Sequence, residues 1–346
     1  VFLRRSKLLS RLSQTKLHRP HAGIWPGAIA LLAASIIDAL LFTIGAWLVA
    51  ALCTLALMAA SNAVVIFLAL RLKKADLRAD EAVDVMQRYR ELQRALEEGE
   101  FRLYYQPEVS FKTGAIEGLE ALVRWRTADG AIVPPADFIP FAESSGLIRP
   151  LGTWILREAC NQLATWRETL PEAANLRVSV NVSGVQLDDP KFVSVVHMAL
   201  RDSGLDPDGL ILEITETSLI SDPKIFRVSL PQLRELGVHF AIDDFGTGYA
   251  SMNYLQSFKF DYVKLEERFI TPIDVGEGDV DLIAGLVSLT KSLGASVVAE
   301  GVRTARQAYV CGMVGCDWGQ GYYFSEPRAA EEIEALLTSP HAIIAA

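Results

Sequence analysis

The sequence predicts an α/β protein: a TIM-like (β/α)8 barrel with an antiparallel first strand, preceded by a two-helix transmembrane hairpin and a helical linker. Three observations predict it. After Gly99, short β-rich runs alternate with helical stretches over roughly 250 residues, the pattern of a parallel barrel. The first two of those runs lie too close together for a helical crossover, so they pair antiparallel. Ahead of them, Ile24 to Leu70 is almost continuously apolar.

The N-terminal elements follow from charge and length. Hydrophobic residues make up 51% of the 346, and the excess lies in that apolar run. Residues 1–23 form a basic cytoplasmic segment carrying Arg4, Arg5, Lys7, Arg11, Lys16 and Arg19. With Phe2, Leu3, Leu8, Leu9, Leu12 and Leu17 among them, they read equally as a helix on an anionic leaflet or as a disordered tail. As one straight helix, residues 24–70 would run about 70 Å, against a hydrocarbon core about 30 Å thick. Two spans of about 20 residues are therefore expected, joined by a tight turn near Thr43–Trp47. Trp25 and Trp47 suit interfacial levels on opposite sides. Asp38, the one formal charge in the run, is expected to face the other helix, a partner chain or the headgroups. A secretory signal core of roughly 7–15 residues is far shorter than this run.

Arg71, Lys73, Lys74 and Arg78 follow the run, so both ends are expected in the cytoplasm, making the chain a multi-pass protein of the inner (cytoplasmic) membrane with its C-terminal domain inside. The chain begins with Val, which a non-standard start codon, processing or truncation would each produce. Residues 71–98 read as one helical linker. Leu72, Ala75, Ala79, Ala82, Met86, Tyr89 and Leu96 form a heptad-like seam, which suits a weak parallel coiled coil or a solvated monomeric helix.

Expected strands are Arg102–Val109, Ala115–Arg124, Leu176–Asn181, Leu210–Thr215, His239–Asp243, Tyr262–Lys264, Ser296–Glu300 and a run near Asp317–Gly321. Expected helices between them include Thr153–Glu168, Lys191–Asp202, Lys224–Leu236 and Asp279–Leu293. Polar residues recur on nearly every strand or at its end: Glu120, Asn181, Glu213, Asp243 with Asp244, Lys264, Glu300 and Gln320. In a barrel those ends converge on one face, where active sites sit. Clustered carboxylates repel one another, and hard divalent cations relieve that. Carboxylates and an asparagine oxygen without Cys or His suit Mg²⁺ or Mn²⁺. Two such ions are the usual means of cleaving a phosphodiester.

Composition narrows the other classes. Net charge is −9 and the C-terminal part holds no basic patch, so DNA or RNA binding is not expected. Cys53, Cys160, Cys311 and Cys316 lack zinc-site spacing and read as reduced thiols.

At these residues a resemblance becomes specific. Glu120-Ala121-Leu122-Val123-Arg124-Trp125 is similar to the signature that names the EAL family. Tyr104-Tyr105-Gln106-Pro107 resembles its first strand, and Pro134 with Phe138-Ile139-Pro140 and Ala142-Glu143 resembles the segment after the signature. Asn181-Val182-Ser183, Glu213-Ile214-Thr215-Glu216, Asp243-Asp244-Phe245-Gly246-Thr247-Gly248-Tyr249, Ala299-Glu300-Gly301-Val302 and Gln320-Gly321-Tyr322 follow in the family's order. The resemblance implies a domain over residues 88–340 that hydrolyses cyclic di-GMP to linear pGpG, using two Mg²⁺ or Mn²⁺ ions and working as a homodimer.

By the same resemblance, Glu120, Asn181, Glu213 and Asp243 are expected to hold one ion, and Asp243 and Asp244 the second. Glu300 matches the family's general base, or a ligand of the second ion. Lys264 matches the residue that positions the attacking water. Glu216 matches the glutamate that pins the loop after the fifth strand, the loop that carries Asp244 and couples dimerisation to metal occupancy. Gln106, Leu122, Arg124 and Gln320 match substrate contacts. Two positions depart: Glu266 stands where the family has Asp, and Arg303 where it has Glu. They leave open a non-catalytic cyclic di-GMP receptor or a protein-interaction domain. No Gly-Gly-Asp/Glu-Glu-Phe stretch occurs in the sequence, so no cyclase domain is expected within it.

Overall fold

Between Gly27 and Gly99 the sequence holds no proline and one glycine, Gly45. A lone glycine weakens a helix by about 1 kcal/mol and does not end it. The computed structural model, which describes residues 24–221, 223–246, 258–274 and 280–338, accordingly has one continuous helix over Ile24–Glu97. The turn expected near Thr43–Trp47 is absent. Thr43 instead donates its hydroxyl back to Ala39 O at 3.0 Å and Leu40 O at 2.9 Å, a bond made inside a regular helix. The apolar part, Gly27–Lys74, has mean hydropathy 2.3 and none of it is buried against the rest of the chain. The basic segment 1–23 lies outside the described residues.

The chain divides into two units, Val1–Val83 and Asp84–Ala346. Within the second, Leu92 and Ala95 on the end of the helix are buried in the core. The barrel then forms from β1 (Phe101–Ser110), β2 (Ile116–Arg126), β4 (Arg177–Asn181), β5 (Leu210–Thr215), β6 (His239–Phe245), β7 (Tyr262–Leu265), β8 (Ser296–Ala299) and β9 (Trp318–Gln320). A two-residue β3 (Ile132–Val133) sits beside β2. The expected strands thus appear, shifted by a residue or two at their ends.

β1 and β2 pair antiparallel from Phe101↔Trp125 to Val109↔Ile116, because a short turn through Gly114 (φ +70°) allows no crossover. From β2 through β9 all pairings are parallel apart from β3, and β9 closes antiparallel on β1 through Glu108↔Gln320. Closure satisfies every strand edge except that of β3.

Helices cover the outside. On Ile148–Thr169 the buried side chains Leu151, Ile155, Leu156, Ala159, Leu163 and Trp166 recur at three- and four-residue intervals. That stripe faces the sheet, and Trp166 meets Tyr105 of β1 edge-on at 4.9 Å. Fully burying each large apolar side chain contributes about 1.5–3 kcal/mol. The alternation that turns apolar residues outward to these helices turns Glu120, Glu213, Lys264 and Gln320 into the barrel lumen.

Candidate active site

Lys264 is fully buried, and its ammonium is the centre of the site. Nζ lies 3.0 Å from Glu120 Oε2, 3.0 Å from Glu213 Oε2, 2.9 Å from Glu300 Oε1 and 3.9 Å from Asp243 Oδ1. These acids come from β2, β5, β6 and the residue after β8, so only barrel closure brings them together. Asn181, the last residue of β4, donates Nδ2 to Glu120 Oε1 at 2.6 Å. Gln320 donates Nε2 to Glu120 Oε2 at 2.6 Å and to Gln106 Oε1 at 3.1 Å.

Asp243 and Asp244 are consecutive, and in a regular strand they would face opposite ways. Here the β6–β7 register is irregular between Ile242 and Phe245, and Asp244 has φ +54°. Such a bulge re-aims a side chain. As a result, carboxylate oxygens of Asp243, Asp244 and Glu300 all lie within 4.8 Å of one another.

One ammonium cannot neutralise the four carboxylates around it, and the protonation behaviour shows the excess. Burial alone would raise Glu120. Lys264 and the hydrogen bonds from Gln320, Lys264 and Asn181 outweigh burial and hold its carboxyl below the usual range. Burial dominates at Glu213 and raises it well above that range, with Glu120 and Asp243 adding to the effect. Burial likewise pushes Glu300 up to about 8 against the pull of Lys264. Asp243 is raised by burial, Glu120 and Asp244. Lys264 is raised well above its usual value, because the attraction of four acids overcomes the cost of burying it.

Among the described residues of the lumen cluster, Glu213 Oε1 and Gln320 Oε1 are buried acceptors without a hydrogen-bond partner. Unsatisfied buried oxygens are costly. Beside clustered carboxylates, with no Cys or His in the set, they fit hard divalent cations. A cavity of about 380 Å³ opens over the cluster, lined by Gln106, Glu120, Leu122, Asp244, Glu266, Glu267, Glu300, Arg303 and Gln320, among others. Leu122 and Asn181 also line an adjoining apolar groove of about 370 Å³, walled by Pro135, Ile139 and Pro140.

Arg124 stands apart from the cluster. It lines a separate cavity of about 440 Å³ with Arg102, Tyr104 and Trp154, and donates Nη1 to Val123 O at 2.9 Å. Glu216 is buried and accepts Gly246 N at 2.7 Å. The segment beyond, including Thr247 and Tyr249 of the quoted motif, lies outside the described residues. Gly321 has φ +149°, and a Cβ there would fall 2.2 Å from Val302 O, so the turn that follows Gln320 requires glycine.

The sequence reading missed Glu108. It lies in the lumen, on the same face of β1 as Gln106, and a Cβ on its partner Gly118 would meet Glu108 Oε2 at 2.3 Å. Burial raises its carboxyl, opposed by Lys264. The signal was present: period-two alternation from Gln106 puts residue 108 inward, opposite a glycine.

Comparison with known proteins bears on the same residues. The family model described as "EAL domain" matches residues 89–327. The chain belongs to the EAL domain family. This EAL domain is 36% identical over 254 residues to the bifunctional diguanylate cyclase/cyclic di-GMP phosphodiesterase MucR of Pseudomonas aeruginosa, covering 73% of this chain and 37% of that one. It is 35% identical over 243 residues to the cyclic di-GMP phosphodiesterase PdeR of Escherichia coli, covering 70% and 36%. The chain thus spans little more than a third of these curated relatives. Among solved structures, the PaMucR phosphodiesterase in complex with c-di-GMP superposes with TM-score 0.67 at 36% identity, covering 71% of this chain and 99% of that one.

Proposed function

We propose that this chain hydrolyses cyclic di-GMP to linear pGpG. The observation that carries the reading is the Lys264 hub: acids from β2, β5, β6 and the residue after β8 meet around one ammonium, beside the unpartnered Glu213 Oε1. Relatives named as cyclic di-GMP phosphodiesterases support the substrate.

Glu120, Asn181, Glu213 and Asp243 would hold one Mg²⁺ or Mn²⁺, and Asp243 with Asp244 a second. When bound, such ions supply Lewis acidity and lower the pKa of a water. The chain's own groups do the rest. Glu120 stays ionised and offers permanent negative charge. Glu300, 2.9 Å from Lys264 Nζ and beside Asp243 and Asp244, is placed to act as the general base. Lys264 holds that carboxylate directly and would orient the attacking water beside the pair. Gln106 and Gln320 present amides to the substrate, and Leu122 forms the ridge between the polar cavity and the apolar groove, which suits a nucleobase. The family resemblance gives Arg124 a phosphate contact, but it lines a separate cavity, so that contact would need the substrate to extend out of the polar one. Glu216, through Gly246 N, steadies the segment carrying Asp244.

The apolar stretch supports attachment to the inner membrane. At 48 residues it exceeds one span, and the basic flanks favour two crossings with both ends in the cytoplasm, which would require the continuous helix to break within the bilayer. A homodimer is part of the same proposal.

The test uses the full chain in detergent, cyclic di-GMP, and Mg²⁺ or Mn²⁺. Formation of pGpG that EDTA abolishes and added metal restores is expected; full activity in EDTA would refute the two-ion mechanism. Tight binding without turnover would instead make the chain a receptor, and neither binding nor turnover an interaction domain.

A further inference from the structure

Arg303 reverses a charge three residues after Glu300, and the structure shows what meets it. Its Nη2 lies 2.6 Å from Glu267 Oε1. Glu267 opens the short helix Glu267–Ile270 directly after β7, the strand of Lys264. Arg303 follows β8, the strand that leads into Glu300. The pair therefore joins the ends of the two strands whose residues meet at the centre of the site.

The contact is more than two charged tips. Gly301 has φ +66°, and a Cβ there would fall 2.4 Å from Glu267 Cγ, so the stem of Glu267 lies directly across the backbone next to Glu300. On the other side, Arg303 N donates to Gln307 Oε1 at 2.7 Å, part of the cap of helix Ala305–Val314. Thr304 Oγ1 reaches Asp274 Oδ1 at 2.9 Å, a second tie between the same two segments. Glu267, Gly301 and Arg303 all line the cavity with Glu266 and Glu300.

We infer that Glu267 and Arg303 form a positioning latch, which holds the backbone behind Glu300 against the end of β7 and so sets the spacing between Glu300 and Lys264. Neither residue touches the reacting atoms. The latch needs opposite charges and not a particular order of them, which is why arginine at 303 is compatible with an intact acid cluster. Both side chains are about half exposed, 58% and 44%, so the pair contributes little to stability. Its effect is on geometry, where ångström-scale displacement is costly in rate. The inference rests on the phosphodiesterase reading for its catalytic consequence.

The experiment compares the full chain with Glu267→Arg, Arg303→Glu and the double exchange, in detergent. Each single variant places like charges together and is expected to lower kcat at least about tenfold, with KM for cyclic di-GMP within about twofold. The double exchange is expected to restore most of the rate. Mn²⁺ affinity, read by electron paramagnetic resonance without substrate, should weaken in each single variant and recover in the double one. Melting temperatures within a few degrees throughout would show that the variants fold. Single variants at the wild-type rate and Mn²⁺ affinity would overturn the latch, and so would a double exchange no better than its parents. If wild type turns nothing over but Mn²⁺ affinity follows this pattern, the latch stands and the phosphodiesterase reading falls.

Discussion

Lys264 Nζ and Glu300 Oε1 meet at 2.9 Å at the mouth of the barrel, though their side chains leave different strands. The parallel register Lys264↔Val298 and Leu265↔Ala299, extended by Glu300 N donating to Leu265 O at 3.0 Å, sets that approach. Lys264 balances the acids there, and a divalent cation would share the task.

Lys264→Met should leave Glu120, Glu213, Asp243 and Glu300 without a buried cation. Removing one partner of a buried ion pair costs about 3–5 kcal/mol, which corresponds to roughly 10 °C in a domain of this size. The melting temperature should fall by that order in EDTA, and Mg²⁺ should recover more of it in the variant than in wild type. An unchanged melting temperature in EDTA would show that the ammonium does not balance the cluster.

Glu266→Asp shortens a side chain that lies 2.8 Å from Arg268 Nε. The shorter carboxylate leaves Arg268 and returns to the geometry the family resemblance implies. Steady-state kinetics should give kcat equal to or above wild type, with KM little changed. A fall in kcat would show that this chain has adapted to glutamate, whereas activity gained from an inert parent would make the natural chain a receptor.

His239, at the start of β6, sits 2.7 Å from Asp208 Oδ1 and 3.5 Å from Asp261 Oδ1, and Asp261 is also paired with Arg234. The two aspartates, Asp261 first, outweigh burial and raise the imidazole above its ordinary 6.5. A raised pKa means that the stabilisation is complete below pH 6.5 and fades as pH climbs through the folded-state value. The melting-temperature gap between wild type and His239→Gln should therefore be larger at pH 6 than at pH 9. A gap that widens with pH would contradict the assignment.

Reporter fusions before Ile24 and at Lys74, in cells, should both read cytoplasm. Opposite compartments would mean an odd number of crossings, with the continuous helix retained in the bilayer at a steep tilt.

How legible the site was can be seen residue by residue. Glu120, Asn181, Glu213, Asp243, Lys264, Glu300 and Gln320 could be picked from the sequence, because each sits at a fixed place on a recognisable strand. Asp243-Asp244 was legible as a pair, but not the bulge that turns both side chains to one face. Arg303 and Glu266 were visible as departures. Glu267, which meets the first of them, was not, since residues 267 and 303 become neighbours only when β7 and β8 lie side by side.

The sequence by itself determined the barrel, the antiparallel first strand, the apolar character of residues 24–70 and the residues that supply charge, since hydrophobic period, turn residues and chain separation are local properties; the expected break within that apolar stretch was not found. Tertiary structure decided which carboxylates share Lys264, why Glu213 Oε1 is left without a partner, that Arg124 lies outside the polar cavity, and that Arg303 is neutralised by Glu267. Those are facts of distance between groups far apart in the chain. A buried electrostatic interaction depends on separation and on solvent exclusion, and strand closure fixes both.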